Sequence, residues 1–174
     1  LAAWEIFEAG KPWREADADV VEAIDFLDYY AQEALRLSEP HRFDTAGEVN
    51  QYFYEPRGVG AIIAPWNFPL AIVTGMTAAA IAAGNTVVVK PAPQTPVIAG
   101  KLIEVLRDAG LPAGVVNFLP GGDKAGAALV EHPQVHFITF TGSQSVGCHI
   151  NVTGAKVQPG QQHLKRIVLE MGGK

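Results

Sequence analysis

The chain has a single cysteine, Cys148, in 174 residues, which excludes an internal disulfide framework and fits a reducing, cytoplasmic setting. Charged residues make up 18% and the net charge is -5. No stretch is a basic stripe, so a nucleic-acid partner is not expected. Long uninterrupted apolar runs are also lacking. The richest, Ala61 to Ala83, is broken by Pro65-Trp66-Asn67-Phe68-Pro69, so no membrane span is expected. His132 and His136 flank Pro133 without a further ligand cluster, and no metal site is expected. There is no internal repeat, no low-complexity tract and no basic n-region behind Leu1-Ala2-Ala3-Trp4-Glu5 that would mark a signal peptide. The sequence does not begin with Met and ends on Glu170-Met171-Gly172-Gly173-Lys174, and it reads as a fragment.

What is present is a core-forming composition, 48% hydrophobic, arranged as alternating strands and helices. Residues 1–42 read as an N-terminal helical segment. Ala16-Asp17-Ala18-Asp19 is expected to open a helix, with Val20, Ile24, Leu27, Ala31, Ala34 and Leu35 on its apolar face. Residues 43–57 read as a hairpin arm, because Val49, Tyr52, Phe53 and Tyr54 are strand formers after a turn at Gly47. Pairing of this arm with a neighbouring subunit and an ordinary surface hairpin are both open. From Gly58 the chain reads strand (58–64), helix (70–83), strand (86–89), helix to Ala109, strand (115–119), helix (125–131), strand (137–140), helix to about Val152 and strand (167–169). Such alternation predicts right-handed crossovers and a doubly wound α/β parallel sheet.

In that architecture ligands sit at the carboxyl ends of the strands. Asn67, in the loop after the first strand, and Lys90, ending the second, fall there. So do Glu170, after the last strand, and the Phe140-Thr141-Gly142-Ser143 turn, which leads into a helix through Gly147. A helix start supplies free N–H groups and a partial positive charge, suited to an anion such as a pyrophosphate. The turn is neither a G-x-G-x-x-G fingerprint nor a P-loop, and a plain capped helix is the alternative. Asn67 fits either an oxyanion donor or a residue holding its own turn. Lys90 fits either a ribose contact or a solvated end, and Glu170 either a general base or an ordinary strand-end acid. Cys148 falls inside the last helix, where a buried, inert thiol is expected.

Together these motifs are specific. Pro65-Trp66-Asn67-Phe68-Pro69, Val89-Lys90-Pro91, Gly110-Leu111-Pro112 to Asn117, Phe140-Thr141-Gly142-Ser143 to Gly147, and Leu169-Glu170-Met171-Gly172-Gly173-Lys174 resemble the aldehyde dehydrogenase superfamily over nearly the whole chain. Gly10-Lys11-Pro12-Trp13 to Tyr29-Tyr30-Ala31 and Ala155 to Arg166 are similar to its bacterial branch that oxidises L-glutamate 5-semialdehyde, the open form of 1-pyrroline-5-carboxylate, in proline breakdown. The resemblance implies a Rossmann-like fold, with residues 58–174 as an incomplete dinucleotide-binding domain, NAD or NADP as cofactor, a small aldehyde as substrate, and a homo-oligomer in the full-length form. It implies Asn67 as oxyanion donor and Glu170 as general base. Cofactor contacts would come from Ala64, Pro65, Trp66, Lys90, Gly122, Gly126, Phe140, Gly142, Ser143 and Gly147. Phe68 would pack on substrate methylenes and Glu22 would meet the substrate ammonium.

Three departures stand out. The family's nucleophilic Cys lies beyond the Glu-Met-Gly-Gly-Lys motif, so the chain alone is expected to be inactive. Many NAD-specific members carry Glu three residues after the ribose Lys, where this chain has Pro93, so NADP use is expected as well. The Gly121-Gly122-Asp123 turn is one residue shorter than usual. The alternatives are oxidation of another aldehyde, such as succinate semialdehyde, or a non-catalytic module for dinucleotide binding or assembly.

Overall fold

A computed structural model describes residues 1–172; Gly173 and Lys174, the end of the Glu-Met-Gly-Gly-Lys motif, lie outside the described residues. Two helices come first, α1 (Ala2–Ala9) and α2 (Trp13–Ser38), separated by Gly10 in the left-handed conformation. The second helix starts at Trp13, before the Ala16–Asp19 stretch expected to open it, and Asp19 is buried mid-helix. Its packed side also differs from the expectation. Val20 packs on the core as expected, but the buried positions are Ala16, Asp19 and Ala23, whereas Ile24 and Leu35 are exposed. α2 approaches its neighbour through small residues, which carry little weight in a hydrophobic pattern. A two-residue hairpin follows, β1 (His41–Arg42) antiparallel to β2 (Gln51–Tyr52), starting two residues before the expected position 43.

The remainder follows the expected alternation: β3 (Val59–Ile63), α3 (Ala71–Ala82), β4 (Thr86–Lys90), α4 (Pro96–Asp108), β5 (Val116–Phe118), α5 (Asp123–Glu131), β6 (Phe137–Gly142), α6 (Gln144–Gly154) and β7 (Arg166–Met171). The five strands form one parallel sheet in the order β5-β4-β3-β6-β7. The chain builds outward from β3 to β5 and then crosses back to place β6 on the other side of β3. The crevice above β3 and β6 is therefore the point where strand order reverses.

Alternation along the central strands feeds two cores. Ile62, Val87 and Val89 pack with Leu70 and Val73 of the α3 region and Ile98, Leu102 and Leu106 of α4. Ala61, Ile63, Ile138 and Phe140 pack on the opposite side with Leu129 and Val130 of α5 and Ile150 of α6. Burying one such large aliphatic side chain contributes about 1.5–3 kcal/mol. Gly60 sits opposite Phe137 in the ladder, and a side chain at 60 would occupy the space of that ring. At Gly84, φ is +80°, which lets the chain leave α3 and enter β4 within a few residues. Among the described residues, no helix is long and apolar enough to cross a membrane.

Candidate functional site

Strand register brings the expected residues to one level. Ile63 of β3 pairs with Lys90 on one side and Phe140 on the other, and Thr141 pairs with Glu170 of β7. Above these strand ends lies a cleft of about 1000 Å³, lined by Ala64, Pro65, Trp66, Asn67, Phe68, Lys90, Gly126, Phe140, Gly142, Ser143 and Glu170. The proline-flanked loop leaves Trp66, Asn67 and Phe68 exposed, with Pro69 and Leu70 turned into the core. Each proline removes an N–H, so neither β3 nor α3 can extend through the loop.

Lys90 is buried, with its Nζ donating to the Pro91 carbonyl oxygen at 2.9 Å. Burial lowers its pKa from the usual lysine value, and the Asp123 charge opposes that shift. Gly126 leaves room for the Lys90 stem: a Cβ there would stand 3.5 Å from Lys90 Cε. Ser143 is the N-cap of α6, its Oγ accepting from Val146 N at 3.4 Å. Its hydroxyl thus performs the capping role, while the helix start still faces the cleft. At Gly142 a side chain would meet the Phe140 ring, with Cζ at 2.6 Å from its Cβ.

Not every expected residue reaches the cleft. Gly147 is buried inside α6, where a side chain would collide with Met171 and Phe140, and its smallness serves that packing. Gly122 is the exposed N-cap of α5, and Glu22 is exposed on α2, three residues after Asp19; neither lines the cleft. Cys148 is exposed on α6 rather than buried, and it is also absent from the cleft lining. Conversely, Asp123, Ser145, His149 and Thr153 line the cleft without having been singled out as site residues. The last three recur every four positions along α6, a spacing that puts them on one helix face.

The family profile for aldehyde dehydrogenases matches residues 1–174. The chain belongs to the aldehyde dehydrogenase family. The 1-pyrroline-5-carboxylate dehydrogenase of Geobacillus thermodenitrificans (strain NG80-2) is 57% identical over 176 residues, covering 100% of this chain and 34% of the relative. That of Bacillus subtilis (strain 168) is 56% identical with the same coverage. The chain thus spans about a third of the length of these relatives. Among solved structures, 1-pyrroline-5-carboxylate dehydrogenase from Thermus with bound NAD superposes with a TM-score of 0.96 at 50% identity, over 99% of this chain and 34% of that one. Proline utilization A from Bdellovibrio bacteriovorus, inactivated by N-propargylglycine, gives 0.94 at 52% identity, over 99% of this chain and 18% of that one.

Proposed function

We propose that this chain provides the dinucleotide-binding cleft of an NAD- or NADP-dependent dehydrogenase that oxidises L-glutamate 5-semialdehyde to glutamate in proline breakdown. The observation that carries the reading is the convergence of Asn67, Lys90, Gly142, Ser143 and Glu170 on one cleft at the strand-order reversal. The donor set fits a dinucleotide: a buried lysine at one end and the start of α6 at the other. Lys90 would hydrogen-bond ribose hydroxyls, and the start of α6 would hold the pyrophosphate. The bound nicotinamide supplies the hydride acceptor.

Asn67 donates its side-chain amide to the oxygen that gains charge as the substrate carbonyl is attacked, and a donor preset there lowers the barrier without reorganisation. Glu170 accepts the proton from the attacking thiol and later from the hydrolytic water. Phe68 packs on the substrate methylenes. Cys148 does not line the cleft; the resemblance to the family implies an attacking thiol beyond the Glu-Met-Gly-Gly-Lys motif. The test is turnover by the full-length protein with L-glutamate 5-semialdehyde and with succinate semialdehyde, followed by reduced-nicotinamide absorbance. A higher kcat/KM for glutamate semialdehyde is expected; a preference for succinate semialdehyde would refute the substrate assignment.

A further inference from the structure

Beneath the Pro-Trp-Asn-Phe-Pro loop lies a buried ionic cluster that no step above uses. Lys11 Nζ stands 3.4 Å from Glu5 Oε2 and 3.5 Å from Asp19 Oδ2, with the lysine side chain 8% exposed and both carboxyls at 0%. As a carboxylate, Glu5 finds no donor on either oxygen, and Lys11 Nζ itself has no hydrogen bond. As a carboxylic acid, Glu5 donates to Asp19, which pushes its pKa up together with the larger effect of burial. Lys11 thus stands between two buried carboxyl groups.

Burying a charged pair with loose contacts contributes little to stability, and well-packed apolar residues do as well or better. The cluster's contacts point to another role. Asp19 Oδ2 accepts from the backbone N–H of Leu70, the N-cap of α3, at 3.2 Å. Lys11 Nζ lies 4.7 Å from the centroid of the Phe68 ring, within cation–π range. One ion pair therefore grips the loop twice, at the ring of Phe68 and at the backbone of Leu70, with Asn67 immediately before the first of these.

We propose that Lys11 is a positioning residue that, held by Asp19, fixes the Phe68 ring and the adjacent Asn67 for the aldehyde substrate. This rests on the proposed role of Phe68 in packing on the substrate. Lys11 touches neither substrate nor cofactor; it acts through the ring.

The test is a double-mutant cycle in the full-length protein, with crystal structures of the wild type and the Lys11→Met variant. Lys11→Met is expected to lower kcat/KM for glutamate semialdehyde about fivefold, the scale of a cation–π contact to a partly exposed ring, mainly by raising KM. In the Phe68→Leu background the same change is expected to add less than about twofold, because the ring it acts through is gone. The Phe68 ring should leave its wild-type orientation in the Lys11→Met crystal. Losses that multiply across the cycle, or a Phe68 ring unmoved in that crystal, would overturn the proposal. Should Lys11→Met not fold, Asp19→Asn removes the charge that holds Lys11 at nearly constant size, and an unchanged KM in that variant is equally fatal. A wild type inert toward glutamate semialdehyde refutes the function instead, and the Phe68 orientation then decides the role of Lys11.

Discussion

Glu8 of α1 caps α4 from far along the sequence: its Oε1 accepts from Val97 N, 89 positions later, at 2.7 Å, and its Oε2 accepts from Ile98 N at 2.8 Å. Thr95, the local N-cap of α4, makes no side-chain cap hydrogen bond. The carboxylate satisfies two free donors and sits at the positive end of the helix dipole. Glu8→Ala is expected to destabilise the fold by about 1 kcal/mol, the usual size of a lost cap. Urea unfolding checks it, and an unchanged midpoint would contradict the capping role.

Glu5 makes stability fall as pH rises. Burial, then the hydrogen bond and charge of Asp19, push its pKa from 4.5 up to about 8, against the opposing pull of Lys11. Between those values the native state holds a proton that the unfolded chain has released, so raising the pH favours unfolding. The contribution is complete below 4.5 and lost as pH passes about 8. In Glu5→Gln, which cannot titrate, the fall in stability across this window should be smaller. Equal pH dependence in both proteins would show that Glu5 is ionised in the folded state.

Lys90→Met removes the charged donor assigned to the cofactor ribose. In the full-length protein, the Kd for NAD is expected to rise about tenfold, the scale of a hydrogen bond to a charged group. At saturating NAD, kcat should stay near wild type, since Lys90 does not touch the reacting carbon. Isothermal titration and steady-state kinetics separate the two effects.

Pro93 lines the cleft three residues after Lys90. Without a carboxylate there, a 2′-phosphate meets no repulsion from that position, and NADP is expected to support turnover. Pro93→Glu should lower kcat/KM for NADP about tenfold while sparing NAD, because only NADP brings a second negative charge beside the new one. Failure of the native enzyme to use NADP at all would place the selectivity elsewhere.

The order of strands and helices from β3 to β7 was legible because each β-branched run is bounded by glycine or proline. The cleft was legible for the same reason: Asn67 follows β3, Lys90 ends β4 and Glu170 lies near the end of β7, and parallel pairing, through β6 in the case of β7, brings those ends to one side of the sheet. The N-terminal third was less so. Asp17 and Asp19 look like helix-opening acids, yet Asp19 is sequestered by Lys11 and Glu5, a pairing between elements that no local pattern reveals. The packed side of α2 was hidden because its buried positions include Ala16 and Ala23, and because Phe26 meets α3 at Gly75, where a Cβ would stand 3.0 Å from the ring. Close approach of small residues leaves almost no hydrophobic signal. Gly147 shows the reverse difficulty: one glycine in a turn-and-helix motif satisfies both a cofactor reading and a packing one, and only its neighbours Met171 and Phe140 distinguish them.

The cleft is proposed as the catalytic dinucleotide site, with Glu170 as its base. The direct measurement is Glu170→Gln in the full-length protein, reading NAD affinity and turnover of glutamate semialdehyde on the same preparation. NAD affinity within about twofold of wild type, with kcat reduced about 100-fold or more, is the result this account requires. Turnover near wild type would remove Glu170 from the chemistry and contradict the assignment.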